Sequence, residues 1–173
     1  MTVISDGSKG APAVQRPCRR RSVDAMRTLL LLRIASVVSV LFAAGHTLGA
    51  LQSWSPPGET EVLQAMRSFH FDASGTSRSY WDFYVGFGFI ISIYFLLQGV
   101  LLWQIAAIAR VEPARTRPLI TSFFMGVVLT AVVCWKFIFM VPVIFAVTIA
   151  ACLGVAFVAA GRDAGVAQPF GGP

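Results

Sequence analysis

The sequence predicts an all-α protein: an integral membrane four-helix bundle with a short external amphipathic helix between the first and second membrane helices. Three observations predict it. Of 173 residues, 56% are hydrophobic and only 13% charged, against roughly 45–50% and about 25% in a soluble domain. Four segments are apolar enough and long enough to cross a hydrocarbon core of about 30 Å. The basic residues, which give the chain a net charge of +6, collect in alternate connecting segments. Together these exclude a disordered chain, a collagen-like chain and an ordinary soluble enzyme.

The first span covers 29–51, with Arg33 near its start and His46 near its end, and the second covers 83–109, with Gln98 and Gln104 inside it. The third and fourth divide one apolar run, interrupted by Lys136 and Pro142, that is too long for a single span of about 20 residues. Pro142 suits the first turn of a helix, where its missing N–H has no partner to lose. The third span is therefore set at 119–138 and the fourth at 142–160, joined by a tight hairpin. These spans make one transmembrane domain, 29–160.

Orientation follows from the flanking charges. Lys9, Arg16, Arg19, Arg20, Arg21 and Arg27 precede the first span against Asp6 and Asp24, and Arg110, Arg115 and Arg117 separate the second and third against Glu112. Between the first two spans the balance reverses, with Glu59, Glu61, Asp72 and Asp82 opposing Arg67 and Arg78. Basic loops stay in the cytoplasm, so both termini are expected there. The basic surplus thus reports orientation, and no nucleic-acid partner is expected. Arg33, about four residues inside the first span, is expected to snorkel to the headgroups.

Residues 1–28 and 161–173 read as disordered. The first of these is a basic cytoplasmic arm without apolar periodicity, and Met26 offers a second translation start. A cleaved signal peptide, with 29–45 as its apolar core, is the lesser alternative because that run exceeds the usual length.

The segment between the first two spans is longer than the bare loops of compact domains, about 12–15 residues at most. After Ser55-Pro56-Pro57-Gly58, residues 59–71 place Val62, Met66 and Phe69 on one helical stripe, with Leu63 alongside. Glu59 and Glu61 fall in the first turn, where the helix dipole favours negative charge. This predicts a short amphipathic helix over the mouth of the bundle or on the lipid interface. A turn follows at 72–77. Ser79-Tyr80-Trp81-Asp82 then matches a capping box, the start of the second membrane helix.

His46-Thr47-Leu48-Gly49, the stretch from Arg78 through Trp81-Asp82-Phe83-Tyr84-Val85-Gly86-Phe87-Gly88, and Trp135-Lys136 before the hairpin with Pro142 carry a resemblance. The chain resembles a family of small four-span bacterial membrane proteins, over approximately residues 28–160. The resemblance implies the four-helix fold and the bacterial cytoplasmic (inner) membrane, and it implies no activity. The coarse layout is also similar to DoxX-type proteins, a likeness of architecture that transfers no function.

At 1.5 Å per residue, His46, Asp82, Tyr84 and Lys136 should all lie within roughly 10 Å of the external surface. His46 is an ionisable group inside a span, which suits an acid–base or relay role or a hydrogen bond to a neighbouring helix. Asp82 and Lys136 are the expected ion pair. Around them Trp81, Tyr84 and Trp135 can enclose the apolar part of a ligand whose head group Lys136 holds, so the candidate ligand site is His46, Trp81, Asp82, Tyr84, Trp135 and Lys136. Gly45 and Gly49 form a Gly-x-x-x-Gly pair suited to close helix approach, and Gly86 and Gly88 could permit the same in the second helix.

Cys134 and Cys152 sit at different depths and cannot bridge, and there is no Cys-x-x-Cys pair. No zinc motif, nucleophile elbow or phosphate loop is present. No cofactor or metal is therefore expected. The sequence favours a non-catalytic protein that binds a small amphipathic molecule or lipid in an external-side pocket. Two alternatives stay open: a membrane-embedded enzyme acting on a lipid or quinone with His46 as acid or base, and an accessory subunit of a larger membrane complex. The expected partners are the lipid bilayer, a lipophilic ligand, and a second copy or another membrane protein.

Overall fold

Leucine, valine, isoleucine and alanine runs form four long helices in the computed structural model, which describes residues 15–51 and 60–166. They are α1 (Gln15–Leu51), α3 (Tyr80–Ala109), α4 (Pro113–Phe137) and α5 (Met140–Val166), with a short α2 (Thr60–Ser68) after α1. Each long helix contains a stretch apolar and long enough to cross a membrane: Val23–Ala50, Tyr80–Ala109, Pro113–Phe137 and Met140–Arg162. The expected four-helix bundle is present. The arm at 1–14, the Ser55-Pro56-Pro57-Gly58 turn with Glu59, and the tail at 167–173 lie outside the described residues.

Three boundaries differ from expectation. Helix α1 begins at Gln15, so 15–28 continue the helix instead of forming an irregular arm; Pro17 falls in its first turn, where proline is tolerated. Helix α4 begins at Pro113, in the first helical turn, and runs through Pro118, ahead of the expected start at 119. A proline this near the start removes only one helical hydrogen bond. Helix α5 continues past 160 to Val166. Pro142 does fall in the first turn of α5, and Ile138-Phe139 make the tight α4–α5 hairpin.

Between α2 and α3 a small hairpin pairs β1 (His70–Asp72) with β2 (Ser77–Ser79), antiparallel, with Phe71 opposite Arg78. The expected turn at 72–77 is its tip. Ala73 and Thr76 exchange backbone hydrogen bonds at 2.9 and 3.3 Å, leaving Ser74-Gly75 as a two-residue loop. Both have positive φ, 56° and 83°, the type I′ geometry whose twist suits a hairpin. The Asp72 carboxylate accepts from the Gly75 N–H at 2.7 Å. Helix α2 packs mainly on α3 and β2, with Arg67 stacked 4.4 Å from the Trp81 ring centre.

Helices α1 and α5 are central: α1 packs on α3 and α5, and α5 on α4, whereas α3 and α4 meet little. The α1–α3 contact is antiparallel and very close. At Gly99 an added Cβ would fall 2.6 Å from Val40 Cγ2 and 3.1 Å from the Ser36 carbonyl. The Ser36 hydroxyl donates to the Gly99 carbonyl at 2.6 Å, and Gln98 Nε2 donates to Ser39 Oγ at 2.9 Å. By contrast a Cβ added at Gly45 or Gly86 would meet nothing within 4 Å, and one at Gly88 would meet only the Ala50 Cβ at 3.4 Å. The close approach therefore belongs to Gly99 and not to the Gly45 or Gly86 positions expected to make it.

The core, with Leu32, Leu102, Ile120, Ile149 and Leu153 at its centre, lies toward the end of the bundle where α3 turns into α4. Gly99→Val is expected to lower stability by roughly 1–3 kcal/mol through overpacking. Gly45→Ala should stay within about 0.5 kcal/mol of the parent. Denaturant unfolding in micelles compares the two; equal behaviour would disprove the assigned contact.

Candidate functional site

Opposite the packed end, a cavity of about 550 Å³ opens between α1, α3 and the α4–α5 hairpin. Phe42 of α1, Phe87 of α3, Phe139 of the hairpin and Phe145 of α5 line it, with His46 and Tyr84 as its polar side chains. Phe42 sits at the centre of the aromatic wall, 4.4 Å from Phe95 edge-on and 5.1 Å from Phe145, centre to centre. The ring of His46 lies 5.9 Å from that of Phe42.

His46 is half-buried and reaches across to α3, where its Nδ1 lies 3.1 Å from Ser92 Oγ. The Ser92 hydroxyl donates to the Gly88 carbonyl one turn back, at 3.2 Å. When the Ser92 hydroxyl gives its hydrogen to Gly88, Ser92 Oγ accepts from the Nδ1–H of His46, and a bond in either direction holds the ring against α3. Sequence reasoning that weighs charged and amide groups passes over Ser92. The available signal was its spacing from Gly99, which puts both on the α1 side of α3 at helical periodicity.

The six expected site residues separate into three places. His46 and Tyr84 line the cavity together. Trp81 and Asp82 line a second, more open cavity of about 510 Å³ with Arg78. The two adjoin, since Phe87 lines both and Trp81 stacks on Tyr84 with centroids 5.4 Å apart. Trp135 is 70% exposed, and neither it nor Lys136 lines either cavity.

The expected Asp82–Lys136 ion pair is absent. Asp82 completes the capping box instead: its carboxylate accepts from the Ser79 N–H at 2.8 Å and the Ser79 hydroxyl at 3.0 Å, while the Asp82 N–H donates to Ser79 Oγ at 3.2 Å. The Lys136 ammonium lies 5.3 Å from the centre of the neighbouring Phe137 ring. Helices α3 and α4, which carry the two side chains, meet little. Asp82 is also separated from His46: with His46 opposite Ser92, Asp82 lies ten residues nearer the start of α3, about 15 Å along its axis.

Of the two places expected for α2, over the mouth of the bundle or on the lipid interface, it does not take the first. It sits beside the start of α3, and no described residue of α2 lines the large cavity. An aromatic cluster joins the hairpin to α3: Phe69 and Phe71 pack on Tyr80 at 5.8 and 5.0 Å, and Phe71 stacks on Phe83 at 5.7 Å. Among the described residues Cys134 and Cys152 are free thiols, and no group of three metal-ligating side chains gathers.

The fold and site define a helical bundle whose four apolar helices suit a multi-pass membrane protein. Comparison with family models, curated proteins and solved structures gives no match.

Because Asp82 acts through Ser79, Ser79→Ala should cost about 1 kcal/mol, the usual loss on removing a serine cap. Lys136→Gln should leave stability unchanged. A double-mutant cycle between Asp82→Asn and Lys136→Gln should show no coupling, read from unfolding midpoints; a clear coupling would restore the ion pair.

Proposed function

We propose that the protein binds a small amphipathic molecule or lipid in the cavity beneath the α4–α5 hairpin. The cavity itself carries this reading. Its volume of about 550 Å³ falls within the roughly 300–1,000 Å³ of small-molecule sites, and its apolar lining with few polar groups is their usual composition. The apolar body of the ligand packs on Phe42, Phe87, Phe139 and Phe145. Its polar end forms hydrogen bonds with His46 and Tyr84. Trp81, Asp82, Trp135 and Lys136 take no part in holding it.

One observation favours a second reading, an enzyme acting on a lipid or quinone. The Ser92 contact orients His46 in the cavity wall, as general acid–base chemistry requires. Equal turnover of a short-chain quinone by wild type and His46→Gln would exclude that reading.

In the same proposal the protein lies in a bacterial cytoplasmic membrane with both termini cytoplasmic. The resemblance of the Trp81 to Gly88 stretch supports the bacterial membrane. The basic residues around the α3–α4 turn and before the first span, against the acidic surplus of the segment from Glu59 to Asp82, support the orientation. In a background with Cys18, Cys134 and Cys152 replaced by serine, Ser74→Cys is expected to label from the periplasm and Arg115→Cys only after permeabilisation. The reverse pattern would invert the topology.

Native mass spectrometry of protein released from nanodiscs tests the cavity. A discrete stoichiometric adduct is expected in wild type and absent in Gly45→Phe, whose new side chain starts in open space at the cavity wall. An unchanged adduct in Gly45→Phe, with folding intact, would remove the ligand from this cavity.

A further inference from the structure

A separate groove of about 410 Å³ runs along the outer side of the α1–α3 contact. Val37, Val40 and Leu41 of α1 form one wall, and Val100, Trp103 and Gln104 of α3 the other. The walls are apolar except at one end. There Arg33 lies one turn before Val37 on the same stripe of α1, with its guanidinium carbon 4.7 Å from the Trp103 ring centre. Both Arg33 and Gln104 are exposed, although each lies within a stretch apolar enough to cross a membrane.

A cation and an amide exposed inside apolar spans are costly unless something at that depth satisfies them. No protein carboxylate does so: among the described residues the ion pairs are Arg27–Asp24 and Arg115–Glu112. Stacking on Trp103 occupies only the face of the guanidinium. Its donors lie in the plane and are left in a fork that matches two oxygens of one phosphate. Depth agrees as well. The register that sets Arg33 against Trp103 puts Arg33 about 9 Å inside the level where α3 ends, near the boundary between acyl chains and headgroups, where tryptophan is enriched.

We infer that this groove is a binding site for an anionic phospholipid. The phosphate sits on the in-plane donors of Arg33, with the Gln104 amide donating beside it, and one acyl chain lies along Val37, Leu41 and Val100. A phospholipid whose head carries an added ammonium brings a like charge toward Arg33 and is disfavoured. The site shares no polar residue with the His46 cavity and does not depend on a ligand there.

The test is a native mass spectrometric titration of the full chain in detergent with phosphatidylglycerol or phosphatidylcholine. Wild type is expected to bind one phosphatidylglycerol about tenfold more tightly than phosphatidylcholine, since both carry the phosphate and only the choline ammonium repels Arg33. Arg33→Gln should abolish that preference, whereas Arg33→Lys should keep it and weaken the binding of both lipids, since lysine keeps the charge without the fork. Val100→Phe, which keeps every charge and fills the groove, should displace the lipid. Arg115→Gln should bind as wild type does. The assignment is overturned by unchanged binding in Arg33→Gln or Val100→Phe, by an equal loss in Arg115→Gln, by equal affinity for the two lipids, or by displacement of the lipid with inorganic phosphate. Helical circular dichroism and a single elution peak establish that each variant is folded.

Discussion

At Gly99 the backbone of α3 lies against that of α1 so closely that a methyl group would enter the van der Waals radius of Val40. In a bilayer, where lipid tails are as apolar as leucine, helices associate through packing and interhelical hydrogen bonds, and both need this approach. The 2.6 Å bond from Ser36 to the Gly99 carbonyl exists only because no Cβ intervenes. Once that contact fixes the antiparallel register, Gln98 must fall beside Ser39 and Ser92 beside His46. The orientation of the histidine is therefore set by a glycine several turns away.

The same geometry decides where the bundle closes. Toward the α3–α4 turn the facing positions carry Leu32, Ala35, Ala106 and Ala109, which mesh and bury almost completely. Toward the α4–α5 hairpin they carry Phe42, Phe87, Phe139 and Phe145. Large rigid rings from separate helices pack edge to face and at tilted angles, and here they enclose space. Helices α3 and α4 meet little, so the hairpin closes this end by its own short connection and not by lateral packing. A cavity at one end and a core at the other are two outcomes of one register, decided by side-chain size.

How much of this could be read in the sequence depends on whether a feature is one-dimensional. The four spans, the proline in the first turn of α5, the amphipathic α2 and the Ser79–Asp82 capping box were all legible, because each rests on local composition or fixed spacing. The azimuth of each helix was not. Helix α3 is apolar on every face, so no stripe tells which side meets α1, and distances along the sequence placed Asp82, Tyr84, Lys136 and His46 together when rotation and depth keep most of them apart. A signal did exist in Ser36, Ser39, Ala43, His46 and Ala50, small or polar residues at helical spacing that face α3. Gly45 and Gly49 matched a familiar motif more visibly. The β-hairpin was hidden differently: three-residue strands have no periodicity to detect, and only Ser74-Gly75 marked the turn.

The candidate site shrinks for a physical reason and gains definition as it does. An exposed carboxylate that caps a helix already has its partners, the Ser79 N–H and hydroxyl, and gains nothing from holding a ligand's head group. His46 lies in a low-dielectric wall where a hydrogen bond is electrostatically stronger than in water, and Ser92 holds it at a fixed angle. Polar groups in a membrane helix therefore divide by what satisfies them. Ser36, Ser39 and Gln98 bond within the protein and weld α1 to α3. His46 bonds there too but also borders open space, whereas Arg33, stacked on Trp103, turns its donors toward the outside. Leu41 lines both the aromatic cavity and the outer groove, so the two surfaces adjoin along α1, and Gly99, where α3 packs most closely on α1, lies in the floor of the groove.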